Sequence, residues 1–469
     1  MVKKRSVSTS KPAFGQRNET DKSKYLTAPI PTTQMPPGIP YIIGNEAAER
    51  FSFYGMRAIL VTFMMKYLLD AHGQPAPMTD IQAMKWFHLF VASAYFFPLI
   101  GAVIADAFFG KYLTILSLSI IYCLGHLALA LNDTRLGLAL GLGLIAIGAG
   151  GIKPCVSSHV GDQFGALNQR LLPKVFSWFY FSINIGSAIS MLLIPKMLEK
   201  FGPHIAFGTP GLLMLLATWV FWLGRRKFAH IPPTGKEFVR EAFSAEGLKS
   251  ISSLIVIYLF IAIFWSLYDQ SSSAWVQQAG NMNLNFLGQE WLPAQIQALN
   301  PILILIYIPL FTYAVYPAIN KFFLLTPLRK ISIGFFLAAI SFLIPAWVEV
   351  QIHAGIKPTI AWHLLAYMFL IASEILVSIT GLEFSYTQAP KKMKSMIMAF
   401  FLASVFVGNL FTALVNIFIE NKDHTSKLTG ASYYLFFAIL MFVAALAFIF
   451  VARRYHGKTT LQDETISPA

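Results

Sequence analysis

Acidic residues are scarce in this sequence: 22 Asp and Glu occur in 469 positions, and charged residues of either sign make up only 12%. That is about half the share found in an ordinary soluble domain. A water-soluble fold of this length needs a far more polar surface, so soluble enzymes and disordered chains are excluded. Cysteine is rarer still. Cys123 and Cys155 are the whole complement and both lie inside apolar segments, which excludes a disulfide scaffold and reads as two small buried hydrophobes. No HExxH occurs, no His/Asp/Glu set has metal-ligand spacing, and no Gly-x-Ser-x-Gly elbow precedes a helix, which argues against a membrane enzyme. No apolar segment with a cleavage site lies near the start, so no cleaved signal peptide is expected.

What is abundant is apolar. Hydrophobic residues make up 56% and the mean hydropathy is +0.60, the signature of an all-α polytopic membrane protein. Twelve segments reach spanning length: 42–69, 86–108, 112–131, 137–160, 174–197, 205–224, 251–276, 294–322, 328–348, 359–386, 394–419 and 430–452. Residues 1–40 are polar and basic, rich in Ser, Thr and Pro, and read as a disordered tail. A charged linker over 225–250, opening Arg225-Arg226-Lys227, divides the spans into six-helix bundles at 41–224 and 251–453, followed by a tail at 454–469. That layout resembles the one of major facilitator transporters, and Gly101, Asp106, Gly110 and Lys111 resemble their short loop motif. The net charge of +14 does not mark a nucleic-acid binder. The basic residues lie mostly in short segments between apolar runs, and no basic-aromatic patch accompanies them. With the N-terminus placed in the cytoplasm, cytoplasmic segments hold 25 of the 36 basic residues and outer loops hold 8. Both termini are therefore expected inside.

Ionisable groups at bilayer depth are costly and need a partner, water or a purpose. Seven stand out: Glu46, Glu49, Arg50, Arg57, Lys153, Asp269 and Glu374. The first four, with Tyr54, form one stripe on the first helix at 3.6-residue spacing, which must face protein or an aqueous cavity. Lys153 follows Gly148, Gly150 and Gly151, small residues that let another backbone approach. Glu374 stands alone among apolar residues, so it must carry a proton or meet a cation when ligand binds. The formal sum is −1, and one extra proton balances the interior. His88 lies in an apolar run; such a histidine is first read as a satisfied structural donor, although it titrates near physiological pH. Tyr95, Asn184, Asn300, Ser385, Tyr386 and Gln388 read singly as helix-packing polar groups.

Taken together these residues resemble the proton-dependent oligopeptide transporter (POT/PTR) family. Glu46-x-x-Glu49-Arg50-Phe51 is similar to its ExxERF signature. Gly150-Gly151-Ile152-Lys153-Pro154 with Gly161-Asp162-Gln163-Phe164 resembles its helix 4 motif, and Phe179-Tyr180-x-x-Ile183-Asn184-x-Gly186 its helix 5 signature. Phe264-Trp265 with Asp269-Gln270 resembles helix 7, Asn300-Pro301 helix 8, and Glu374 with Gly381 through Pro390 helix 10. The resemblance covers nearly the whole chain after residue 40.

The resemblance implies proton-driven symport of di- and tripeptides by alternating access, with the proton as coupling ion and no other cofactor. It implies that Arg57 and Lys153 hold the peptide carboxylate, and that Asn184, Asn300 and Glu374 hold its amine. Tyr54, Tyr95, Trp265 and Ser385 would line side-chain pockets. Glu46, Glu49 and Arg50 would form the proton-coupling cluster, with His88 and Asp269 also in the proton path, and Arg57–Asp269 and Glu49–Lys153 would be the gate ion pairs. Phe53 stands where many members carry Tyr. The short 225–250 linker and the loop of about ten residues before 359 lack the insertions of many bacterial and animal members. A monomer in a cell membrane, of bacterial inner-membrane type, is expected. The alternative is a proton-coupled carrier of nitrate or another small anion or zwitterion.

Overall fold

A hydrocarbon solvent offers the backbone no hydrogen bonds, so an apolar run must satisfy its own N–H and C=O groups as helix. The computed structural model describes residues 25–233, 235, 245–388 and 394–455, and they are mostly helical. The helices are α1 (Ile39–Lys66), α2 (Asp80–Val103), α3 (Lys111–Leu131), α4 (Arg135–Gly161), α5 (Leu172–Leu223), α6 (Ala245–Tyr268) and the short α7 (Ala274–Ala279). There follow α8 (Leu299–Leu310), α9 (Tyr316–Asn320), α10 (Pro327–His353), α11 (Ala361–Glu374), α12 (Thr380–Gln388), α13 (Lys394–Ile419) and α14 (Ala431–Arg454). A two-residue antiparallel hairpin pairs Asn285–Phe286 with Gln289–Glu290. Among the described residues ten helical segments are long and apolar enough to cross a membrane. α1 is equally long but carries four charged residues before its last turn. Polar caps mark several starts: the Thr79 hydroxyl accepts from the Gln82 amide while Gln82 Oε1 accepts from Thr79 N, and Thr134 and Thr326 cap α4 and α10.

Three boundaries differ from the expected spans. Instead of a loop over 198–204, α5 runs through to Leu223 with one non-helical residue, Gly202, at φ 79°. Glycine takes this left-handed value without a Cβ clash, and Pro203 then fits the first position of the next turn. The contacts show that the chain reverses there. Before the bend Gly186 lies against Ala47 and Ser190 against Gly55; beyond it His204 Nδ1 meets the Ala130 carbonyl and Phe221 stacks on Tyr112. Second, the expected 251–276 span is broken at Asp269–Ser272 by a tighter turn, and widened π-helical turns interrupt the chain at Ile104–Phe109, Phe311–Val315 and Ile375–Ile379. Such turns are frequent beside functional groups; the last follows Glu374 directly. Third, residues 25–38, expected in the disordered tail, pack on the chain: Tyr25 stacks on His230 at 4.4 Å and His230 N donates to the Leu26 carbonyl. Residues 1–24, linker residues 236–244, the Ala389-Pro390 pair and the tail from 456 lie outside the described residues.

Two large hydrophobic cores form among the described residues, with two small clusters beside them. One draws on 39–228 and centres on Phe53, Phe63, Phe87, Tyr122 and Phe207. The other draws on 254–448 with Ile81 and Met84 of α2, and centres on Phe264, Trp275, Phe342, Tyr367 and Phe437. Outward faces stay apolar, with Leu131, Phe418 and Phe450 well exposed, as a lipid-facing surface requires. At one end, here the hairpin end, connections 67–79, 132–134, 280–292, 354–360 and 420–430 gather. The opposite end carries 25–38, 162–171 and 224–233.

Candidate functional site

The α1 stripe is buried rather than lipid-exposed. Glu46 and Glu49 are each 1% exposed. Arg50 donates to Glu46 at 2.7 Å and contacts Glu49 at 3.3 Å, so the glutamates share one cation. Two turns on, Arg57 reaches out of the first core and pairs with Asp269, which the break after α6 presents. The face of the Phe87 ring lies 5.3 Å from the same guanidinium.

Asp269 begins a chain of bonds to His88. Asn409 Nδ2 donates to Asp269 Oδ2 at 2.6 Å and to the Val405 carbonyl at 3.0 Å. Both amide protons are thereby committed, and Asn409 Oδ1 accepts from His88 Nδ1 at 2.8 Å. The other ring nitrogen faces Ser273 Oγ at 2.9 Å. A hydroxyl can donate or accept, so this chain suits the ring both neutral and protonated: when a proton arrives at Nε2, the Ser273 hydroxyl turns from donor to acceptor. The amide fixes Nδ1 as a donor in either state. His88 is fully buried.

Lys153 is held differently. Its Nζ lies 4.0 Å from the Phe53 ring centroid and 4.2 Å from that of Tyr95. Among the described residues it has no hydrogen-bond acceptor. The expected Glu49–Lys153 pair is open here: Glu49 is turned to Arg50. The backbone explains how a lysine reaches this place. Gly101 and Gly151 meet so closely that a Cβ on Gly101 would lie 2.4 Å from the Gly151 carbonyl oxygen, which draws α4 against α2. Glu374, on α11, accepts from Asn300 Nδ2 at 3.2 Å, and Asn300 also donates to the Tyr268 hydroxyl at 2.5 Å, which brings Tyr268 beside the carboxylate. Tyr54 lies within the electrostatic reach of Arg50, Arg57, Glu49 and Glu374, so the structure gathers the α1 cations and a carboxylate from α11 around one tyrosine.

Other expected site residues are spent locally. Asn184 Nδ2 donates to the Tyr180 carbonyl one turn back at 2.9 Å, and the Ser385 hydroxyl to the Gly381 carbonyl at 2.6 Å with Ser385 fully buried. Trp265 packs edge-on against Tyr268 at 5.1 Å. The Tyr386 side chain lies outside the described ones. Sequence reasoning missed Asn409, Ser273 and Tyr268 as partners. Only Tyr268 left a local signal, as the neighbour of Asp269. It also missed Lys85, which donates to Glu420 at 2.5 Å. Further ties between the segments 39–226 and 245–455 sit toward the hairpin end: Gln277 Nε2 donates to the Asp80 carbonyl, Gln295 Nε2 to Leu192 and Gln297 Nε2 to Ala58. Two cavities, of about 540 and 450 Å³, open at that end, lined by Asp80, Gln277 and Asn281 with either Glu349 and His424 or Lys66 and Glu199.

The pattern of the POT family (PTR2) matches residues 112–245 and 240–435. Peptide transporter family 1 of Drosophila melanogaster is 36% identical over 382 residues, 71% of this chain and 50% of that relative. Solute carrier family 15 member 2 of Homo sapiens is 34% identical over 411 residues, 76% and 55% of the two chains. The chain thus spans about half the length of these curated relatives. Among solved structures, the POT family transporter PepTSo superposes with a TM-score of 0.83 at 37% identity, covering 90% of this chain and 99% of that one.

Proposed function

Since the chain belongs to the POT family, we propose that it is a proton-coupled symporter of di- and tripeptides that works by alternating access. In this reading α1 supplies one crossing beside the ten apolar segments and the Gly202 bend divides one of those in two. Twelve crossings follow, six on each side of 225–250, in the major facilitator arrangement, with both termini in the cytoplasm and the hairpin end outside the cell membrane. The described form is then the one closed to the outside, its halves tied by Arg57–Asp269, Lys85–Glu420 and the His88 chain.

The observation that carries the substrate reading is Lys153. A buried ammonium without an acceptor is costly, and a peptide carboxylate supplies the missing acceptor as a charge-assisted bond. Glu374, within electrostatic reach of Tyr54, offers the opposite charge to the peptide amine, with Asn300 and Tyr268 beside it. A zwitterion so placed exchanges its hydration for protein charges at both ends. Proton coupling follows if the proton and the peptide bias the same equilibrium between forms. A proton at the His88–Asn409–Asp269 chain competes with Arg57 for Asp269, and one on Glu49 releases Arg50. Uptake of a labelled dipeptide into proteoliposomes tests this: accumulation is expected with an inward acid gradient and only equilibration without it. Nitrate uptake that dipeptides fail to compete with would overturn the peptide reading.

A further inference from the structure

Deep in the first core, α1 and α3 carry a second polar set that the proposed cycle leaves unused. On α1, Asn45 stands one turn before Glu49. On α3, Ser119, Tyr122 and His126 stand at i, i+3 and i+7, which is one helical face. None of the five is more than 1% exposed. The Tyr122 and His126 rings lie 5.0 Å apart, and the Tyr122 hydroxyl lies within electrostatic reach of Glu49, Arg50 and Glu46. Glycines close the sides: Gly148 of α4 backs onto Tyr122, and Gly211 of α5 onto His126. Helical period puts Asn45 on the Glu49 side of α1, and Ser119 and His126 on the Tyr122 side of α3, so the two polar faces turn toward each other where Tyr122 meets the α1 charges.

Among the described residues no hydrogen bond reaches the Asn45 amide, the Ser119 or Tyr122 hydroxyl, or either nitrogen of His126, and Glu49 has only its Arg50 contact. The Phe207 backbone lies beside the His126 ring but outside hydrogen-bond geometry. Buried polar groups in folded proteins are almost always bonded, and leaving this many bare would consume the margin by which a domain is stable. Where protein groups do not bond such atoms, ordered water does, given several polar atoms converging on one space.

We propose that the space between these faces binds a short chain of internal water molecules running from Glu49 past Asn45, Ser119 and Tyr122 to His126, and that Tyr122 positions this chain while His126 is the acceptor at its end for the proton on Glu49. The second part rests on the proton-coupled reading above. When Glu49 gives up its proton, each water or hydroxyl passes one proton forward as it takes one from behind, and the His126 imidazole receives the last; nothing is oxidised or reduced. The charged and titratable groups facing Glu49 are Arg50, Glu46 and Tyr54 of α1, Tyr122 of α3 and Lys153 of α4. Those near His126 are Tyr122 and Cys123 of its own helix, with the α5 side presenting Gly211 and the Phe207 backbone.

Radiolytic footprinting of the unaltered full chain tests the water, because radicals form on bound water itself. Tyr122 is expected to oxidise readily, whereas Tyr367, equally buried but donating to the Ser271 carbonyl, is not; equal protection of the two overturns the water chain. The positioning role is tested with Tyr122→Phe, which removes one oxygen and keeps the ring. Exchange of labelled dipeptide across proteoliposomes without a gradient is expected to stay unchanged, while acid-driven accumulation falls about fivefold, the loss of one hydrogen bond, and its pH profile shifts. His126→Gln, which keeps a bonding amide but cannot titrate, is expected to do the same. If the parent chain accumulates dipeptide and both variants match it in level and pH profile, the roles of Tyr122 and His126 fail. If the parent accumulates none while Tyr122 is oxidised, the transport reading fails and the water chain stands.

Discussion

Arg57 and Lys153 both hold their charged ends away from solvent, and the protein treats them in opposite ways. Arg57 has a carboxylate from the other segment, itself bonded by Asn409. Lys153 has two ring faces and no acceptor. Ring faces return about 0.5–2 kcal/mol each, well short of what taking an ammonium out of water costs. The difference teaches what each region is for. A charge whose partner lies on the opposite segment fastens the two together. In the proposed cycle, a charge kept bare and cushioned is the one that waits for a partner that comes and goes.

Substitution should separate the two roles. Arg57→Ala leaves Asp269 buried without its cation, a loss of about 3–5 kcal/mol. Thermal unfolding in detergent should show it as the larger destabilisation, and hydrogen exchange over 269–279 should accelerate while 111–131 stays protected. Asp269→Asn makes the same break and adds a donor facing a donor, at Arg57 or at Asn409 whichever way its amide turns. It should keep dipeptide exchange and lose acid-driven accumulation. Lys153→Ala, by contrast, removes a charge that has no acceptor. It should leave the unfolding temperature unchanged or raise it, yet lower dipeptide uptake by roughly ten- to a hundred-fold, the worth of about 1.5–3 kcal/mol for a charged hydrogen bond. Should Lys153→Ala unfold as early as Arg57→Ala, the contrast between fastened and waiting charges breaks.

The half of this contrast that runs along the chain was legible in the sequence. Glu46, Glu49, Arg50, Tyr54 and Arg57 fall on one face because helical period alone puts them there, and an isolated Glu374 among apolar residues is visible as an anomaly. The half that runs across the fold was not. Nothing about a lone Asn409 in an apolar helix says that its amide joins Asp269 to His88. That Lys153 is cushioned by Phe53 and Tyr95 depends on how closely Gly101 and Gly151 let α2 and α4 approach. Ser385 and Asn184 carry the right groups, but each hydrogen-bonds its own helix, a choice made by side-chain geometry one turn away. The reversal at Gly202 was expected as a longer loop, since a single left-handed residue followed by proline does the work of several.

The smallest effect is expected at the rim, where the same pairing occurs in water's reach. Lys85 and Glu420 tie α2 to the end of α13, with His424 Nδ1 donating to the second carboxylate oxygen at 2.7 Å. Burial pushes the Glu420 carboxyl up, but the bonds from Lys85 and His424 outweigh it and hold it below the ordinary carboxylate value. A lowered value in the folded state means that the pair stabilises above the ordinary carboxylate range and that this is lost as pH falls through the folded value. Because both side chains are 10–18% exposed at the water-facing edge, the pair is worth about 0.2–1 kcal/mol. Glu420→Gln should therefore speed hydrogen exchange over 420–430 by no more than about fivefold at neutral pH. The difference from the parent should vanish in acid and shrink in high salt. A loss as large as that of Arg57→Ala would mean that depth in the membrane does not set the strength of the ties, and that the rim, rather than the buried Asp269, is what keeps this end closed.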